Sequence, residues 1–431
     1  MSTHIVNINQ QIITGKISNL VSGVTNYKGI KFAYLNNERW GKPCSKEVTS
    51  FDATEQGAIC PQIETPLDQI TGSLQNFIQD EECLNVNISV PESNVPMPVM
   101  VWIHGGGFSV GGNALPSYQG DVLANKGKVI VVSINYRLGP LGFLRLADVT
   151  QGKINSCGNE GLLDQIEALK WIKQNIQHFG GDSNNITLFG ESAGAMSISC
   201  LLAMPNAKGL FHKVILQSGA GHTFHTKEKA NEVASDFLNY IQEFNINVSH
   251  LSELPVETVL KLYQGFISKP NVYLKYGVLP FKPVVDGATL PIPPHEAIEQ
   301  GQAKHIPILS GTNTDEWTLF GLLSPQTDFT LEELSARIMP LIGPENLSTH
   351  IEIAKQKLGA RDIPVTNKEI LAEFYSHFWF HQPSHRLLSL HEKSGGTAYS
   401  YSLAKQTVVP GLRCTHIADI GYVFGLTSEL F

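Results

Sequence analysis

Residues 190–197 read GESAGAMS, directly after the apolar run ITLF of residues 186–189. A serine two residues from a glycine on each side suits a nucleophile held where a strand turns sharply into a helix. Gly190 and Gly194 would remove side chains that clash across such a turn. Ser192 Oγ would then stand at the positive end of the following helix, where charge developing on a bound acyl group is favoured. The pattern is short, and a small-residue turn into a helix is the alternative reading. A second stretch weighs against that alternative. WIHGGGF, residues 102–108, closes the apolar run PVMVWI of residues 98–103. Consecutive glycines at a strand end leave backbone N–H groups unobstructed. The oxyanion of an acyl-transfer intermediate needs such donors, each worth on the order of 3 kcal/mol in the transition state. The candidates are the N–H groups of Gly106 and Gly107, together with that of Ala193 just after the serine.

Strands and helices must hold these groups. Short apolar runs recur at 98–103, 129–134 (VIVVSI), 186–189, 213–217 (KVILQ), 306–311 (IPILSG) and 399–403 (YSYSL). Nearly continuous apolar runs of this length suit strands covered on both faces. Residues 160–179 read as a helix, with Leu162, Ile166, Leu169, Ile172 and Ile176 on one stripe and the GGD of residues 180–182 stopping it. Alternating strand and helix predicts an α/β fold: a central, mostly parallel sheet flanked by helices. Roughly the first 90 residues read as short strands and turns. Residues 225–300 and 320–390 are mostly helical with no obvious central strand. They read as insertions of a single domain, packed over the sheet's C-terminal edge where they could wall a pocket; ordinary flanking helices are the alternative.

The 431 residues are 42% hydrophobic and 16% charged, ample for a large core, with a formal net charge of -8 and no basic stripe. Nucleic acid is therefore excluded as a partner. No apolar run is long enough for a membrane span. The start, MSTHIVNINQQIITGKIS, has neither a basic opening nor an apolar core, so a cytoplasmic location is expected. In that setting the glycosylation-like triplets at Asn87, Asn185, Asn247 and Asn346 are chance matches. Cys44, Cys60, Cys83, Cys157, Cys200 and Cys414 form no CxxC pair and no zinc-finger spacing, so no metal site is expected. Composition leaves the oligomeric state open.

Several blocks resemble the type-B carboxylesterase family of the α/β-hydrolase fold, which also holds the cholinesterases, and within it bacterial para-nitrobenzyl esterases. They are EECLNVNI (81–88), NYRLGPLGFL (135–144), the 158–182 helix block, LFGESAGAMS (188–197), LLAMPNAKGLFHKVILQSGA (201–220) and PVVDGATLP (283–291). The resemblance implies a serine hydrolase acting on small-molecule carboxylic esters without a metal or organic cofactor. It places the acid of a Ser-Glu-His triad in GTNTDEWTLF (311–320), at Glu316 with Asp315 as competitor. It places the histidine ahead of VFG (423–425), at His416. Ser192 would attack, His416 would carry the proton, and Glu316 would orient His416. The resemblance further implies that Ser218 supports the triad from behind, that Arg39 pairs with Glu81, and that Cys60 and Cys83 lie close, as thiols in a reducing compartment. Cys200 is expected as an inert core thiol.

Two departures from the family pattern stand out. Trp317 follows the acid where glycine is usual, and the sequence stops at Phe431 where the family adds further helices, so a missing helical layer and lowered stability are expected. Phe108, Glu191 and Trp317 are candidate pocket residues. The stretch from Cys60 to Cys83 holds no tryptophan, which argues against choline esters, whose cation is held over such a ring. A broad-specificity esterase for small to medium uncharged esters is the main expectation. An amidase or lactonase, or an adhesion protein that has lost catalysis, are the rival readings.

Overall fold

A computed structural model describes residues 3–47, 49–65, 74–322 and 328–426. The central sheet runs through β1 (Thr3–Ile8), β2 (Gln11–Ile17), β3 (Val24–Lys31), β4 (Asn85–Pro91), β5 (Met97–Ile103), β6 (Ile130–Ile134), β7 (Gly181–Glu191), β8 (Lys213–Gln217), β9 (Ile308–Asn313) and β10 (Ala398–Leu403). The spatial order is β1-β2-β3-β4-β6-β5-β7-β8-β9-β10, with the short strand Phe51–Asp52 beside β2. Pairing is antiparallel from β1 to β6 and parallel from β6 to β10. This is the mostly parallel sheet expected from the alternating runs, in the α/β-hydrolase arrangement that the family resemblance implies. β5 and β6 are buried along nearly their whole length, as strands covered on both faces require.

Helix α1 (Glu160–Asn175) turns its apolar stripe onto the sheet, and Leu162, Ile166, Leu169 and Ile172 are buried. A 3-10 turn over Ile176–Phe179 follows, and Gly180 closes it at a φ of 83°. Glycine adopts that left-handed conformation without the cost another residue would bear. Helix α2 (Ala193–Ala203) starts directly after β7 and is buried throughout.

Between β8 and β9 lie α3 (Lys227–Gln242), α4 (Val256–Ile267) and α5 (Pro270–Tyr276). Two-residue strands flank them: His225–Thr226 pairs in parallel with Val284–Val285, apart from the central sheet. Between β9 and β10 lie α6 (Leu331–Ile342), α7 (Leu347–Gly359), α8 (Asn367–Ser376) and α9 (Gln382–Lys393). Helices α6 to α8 enclose a small core of their own around Leu334, Ile338, Leu358, Ile370 and Phe374. A π-helical turn, His377–His381, joins α8 to α9. Among the described residues no helix is long and apolar enough to cross a membrane.

Candidate active site

Ser192 sits between β7 and α2 with φ 55° and ψ -123°, a backbone conformation that L side chains rarely adopt. Two bonds hold the turn: Ser192 N–H donates to Gln217 O on β8 at 2.8 Å, and Met196 N–H donates to Ser192 O at 2.9 Å. Gly219 presses against the Ser192 carbonyl from the end of β8, where a Cβ would collide. Sheet and helix thus fix the serine from both sides. The N–H of Ala193 opens the first turn of α2, where it has no partner within the helix.

The glycine loop after β5 lies alongside. Gly106 and Gly107 have φ of 101° and 60°, so side chains there would be strained. Gly106 O accepts from the N–H groups of Ser109 and Val110, which turns the loop back on itself. Tyr263 of α4 donates its hydroxyl to Ser109 Oγ at 2.9 Å, and Leu279 lies against Gly107, so the first inserted segment touches the glycine loop. His104 is buried, with its ring stacked on Tyr136; burial pushes its imidazole down to about 4, so it is neutral.

Glu316 is fully buried just past β9. Its Oε1 accepts from Ser218 Oγ at 2.6 Å and from Asn313 N–H at 2.7 Å. Its Oε2 lies 2.6 Å from His416 Nδ1. Ser218 is itself held at a φ of 50°, with its N–H donating to Gly311 O. Asp315 faces the other way. Its carboxylate meets Arg361 at 2.7 Å and Arg413 at 3.0 Å and makes no contact with His416. The loop bearing His416 is stitched to the acid loop by Asn313 Nδ2 donating to Thr415 O and by Asp315 N–H donating to Cys414 O.

A second carboxylate faces the other ring nitrogen. Glu191, the residue before the serine, is buried, and its Oε1 lies 3.0 Å from His416 Nε2 without forming an aligned hydrogen bond. Gly105 makes room for it, since a Cβ there would strike the Glu191 carboxylate. Burial opposes charge on His416, but the Glu191 and Glu316 carboxylates outweigh it and push the imidazole up to about 10. Burial in turn raises Glu191 above the ordinary carboxylate range, against the pull of His416. Asp419, three residues past His416, is a third buried acid, and burial raises it too. Its Oδ2 accepts from Gln217 Nε2 at 2.7 Å and from the Tyr401 hydroxyl at 3.1 Å.

The structure thus brings Ser192, Ala193, Gly106, Gly107, Glu191, Ser218, Glu316 and His416 to one end of the parallel strands. Phe108 goes elsewhere: at φ 59° it turns its ring into the core against Phe143 and is fully buried, so it does not line an open pocket. Trp317 packs on Phe320 and Tyr375, and its backbone N–H donates to Ser376 Oγ, which docks α8 on the acid loop. The aromatic rings beside His416 are those of Phe320 and Phe380, with centroids at 5.2 and 4.7 Å. Nothing in the sequence pattern singles these two out. Among the described residues no group of three or more His, Cys, Asp or Glu side chains is set to hold a metal ion.

Away from the site, Arg39 grips Glu81 with two bonds of 2.6 and 2.7 Å. Cys60 and Cys83 are buried free thiols, and the neighbouring Cys60 thiol together with burial pushes the Cys83 thiol up. Burial pushes the Cys200 thiol up to about 12, as an inert core thiol requires.

The serine turn, the glycine loop and the buried carboxylate–histidine pair thus sit together on an α/β-hydrolase fold. The carboxylesterase family profile matches residues 2–429, and the chain belongs to that family. It is similar to the para-nitrobenzyl esterase of Bacillus subtilis, with 43% identity over 349 residues covering 77% of this chain and 68% of that protein. It is similar to the liver carboxylesterase of Sus scrofa, with 32% identity covering 93% of this chain and 75% of that one. A solved thermophilic para-nitrobenzyl esterase superposes with a TM-score of 0.83 at 35% identity, over 99% of this chain and 84% of its own. The protein is a carboxylic ester hydrolase.

Proposed function

We propose that the protein cleaves small to medium carboxylic esters through an acyl-enzyme on Ser192. When the proton shared by Glu191 and His416 rests on Glu191, His416 is neutral and its Nε2 is the base that takes the Ser192 proton during attack. The oxyanion is held by the N–H groups of Gly106, Gly107 and Ala193. His416 then protonates the leaving alcohol, and water repeats the cycle on the acyl group. Glu316 accepts the Nδ1 proton's hydrogen bond and stabilises the imidazolium, while Ser218 and Asn313 hold the Glu316 carboxylate in place.

The observation that carries this reading is the 2.6 Å contact of His416 Nδ1 with a Glu316 carboxylate already satisfied on its other oxygen, behind a strained serine. The test is a p-nitrophenyl ester panel, acetate to decanoate, on wild type and Ser192→Ala. Turnover is expected in wild type and a fall of at least about 10⁴-fold in the variant. Turnover that persists in Ser192→Ala would overturn the mechanism.

A further inference from the structure

Strand β8 ends at Gln217, and residues 217–219 meet the serine, the acid and the histidine loop in turn. Gln217 O accepts from Ser192 N–H at 2.8 Å, Ser218 Oγ donates to Glu316 Oε1 at 2.6 Å, and Gly219 lies against the Ser192 carbonyl. The Gln217 side chain makes a further contact that the mechanism above does not use: its Nε2 donates to Asp419 Oδ2 at 2.7 Å. Asp419 stands three residues past His416. One residue of β8 thus holds the serine through its main chain and the histidine loop through its side chain.

Strand register explains how this contact is made. Glu191 of β7, Gln217 of β8, Gly311 of β9 and Tyr401 of β10 are register partners across four parallel strands. Side chains alternate between the two faces along each strand, so register partners share a face and these four positions form one row. Gly311 leaves its place in the row empty, and the Tyr401 ring lies over it, where a Cβ at 311 would strike it. From there the Tyr401 hydroxyl donates to the same Asp419 Oδ2 at 3.1 Å. At the other end of the row Glu191 lies 3.0 Å from His416 Nε2. Helix α10 (Ala418–Phe424) covers this face, with Phe424 on the rings of Trp102 and Phe189 at 5.0 and 5.7 Å.

The histidine loop needs such an anchor. A helix of seven residues does not hold itself in water. Ile417, between His416 and α10, has a φ of 69°, which a β-branched residue keeps only when its surroundings impose it. Phe424 fixes the far end of α10, and Asp419 fixes the end beside His416. An apolar side chain at 419 would pack as Ile420 and Phe424 do and would avoid burying a carboxylate. What the carboxylate adds is register: apolar rings let α10 slide, whereas an oxygen held by two donors does not.

We propose that Gln217 and Asp419 are positioning residues of the ester-hydrolase reaction, whose hydrogen bond sets the His416 imidazole in line with Ser192 while Tyr401 steadies it. Neither touches the substrate. The inference rests on Ser192 and His416 being the nucleophile and the base, and adds what fixes their spacing. Proton transfer requires that spacing in the transition state, so losing the link lowers kcat and spares KM.

The test follows p-nitrophenyl butyrate hydrolysis and melting temperature in wild type, Gln217→Met, Tyr401→Phe, Gln217→Glu and the double variant Gln217→Glu with Asp419→Asn. Gln217→Met keeps the main-chain bond to Ser192 and removes the side-chain bond. Its kcat is expected to fall about 10²-fold with KM within about twofold. Tyr401→Phe leaves the Gln217 bond in place and should lose only about threefold. Gln217→Glu sets two buried acids against each other and should fall at least as far as Gln217→Met. Adding Asp419→Asn rebuilds the bond with donor and acceptor exchanged, and kcat should return to within about fivefold of wild type. A wild-type kcat in Gln217→Met would overturn the proposal. So would a double variant no better than Gln217→Glu, or a KM that rises as far as kcat falls. If Gln217→Met does not fold, the rescue by the double variant decides alone. Ser192→Ala on the same ester tests the hydrolase reading separately. Turnover that persists there overturns both; turnover abolished there with Gln217→Met unaffected overturns the positioning role alone.

Discussion

The two sides of the candidate site are built on different terms. On the sheet side, Glu316 has every carboxylate oxygen answered: Ser218 and Asn313 on one, His416 on the other. On the side of the inserted segments, both ring nitrogens of His222 are buried with no partner among the described residues. On the first side the Glu316 carboxylate is satisfied before any ligand arrives, although Glu191 Oε1 and Asp419 Oδ1 beside it are buried without a hydrogen-bond partner. The second leaves the His222 ring unanswered. The contrast sets an acid held on both oxygens against a ring held on neither nitrogen.

The sharpest break of that contrast is Glu316→Gln. An amide keeps the shape but cannot stabilise the imidazolium, and it favours the wrong tautomer of His416. The expected loss in kcat is about 10⁴-fold with KM little changed, read from steady-state kinetics on a neutral ester. Asp315→Asn tests its neighbour, which shares the loop but serves structure. It would leave Arg361 and Arg413 without their common carboxylate. Because both guanidiniums keep access to solvent, the cost should be about 2–3 kcal/mol of unfolding free energy in urea, with kcat within a few-fold of wild type.

Glu191→Gln gives the smallest change and asks on which side of the contrast Glu191 belongs. The imidazole pKa is raised, so the stability from the Glu191–His416 contact is present below the ordinary histidine value and is lost as pH rises towards about 10. The proposed mechanism runs the opposite way, since in it only neutral His416 accepts the serine proton. The acid limb of the wild-type kcat/KM profile should therefore lie above an ordinary histidine's value. Removing the Glu191 charge should move that limb to lower pH. A limb that does not move would mean that Glu191 does not govern the proton on His416.

Much of the sheet side could be read from the sequence. Apolar runs marked the strands, and the glycines around Ser192 and after His104 carried turn chemistry that few other residue types tolerate. Glu316 and His416 were reachable only through family resemblance, because an acid and a histidine 100 residues apart leave no local trace. The inserted side was harder. The sequence read residues 225–300 and 320–390 only as mostly helical, and gave no sign of the π-helical turn at 377–381, which sets Trp379 and Phe380 to face different partners. Phe108 misled because an aromatic after a glycine loop looks like a pocket wall, yet its positive φ swings the ring into the core. Glu191 was in plain view inside the serine motif. Its effect on His416 depends on a long-range approach that no spacing encodes.

The scattered origin of the site also bears on how the chain matures. The serine, the acid and the histidine come from positions 192, 316 and 416, and the histidine loop is anchored by bonds such as Gln217 to Asp419 that reach back 202 residues. Such distant closures form late, after the intervening segments have folded. During synthesis the serine elbow can be in place long before a base exists to activate it. Esterase activity would then report the last docking event of folding, and a refolding experiment followed by turnover would lag behind one followed by helix content.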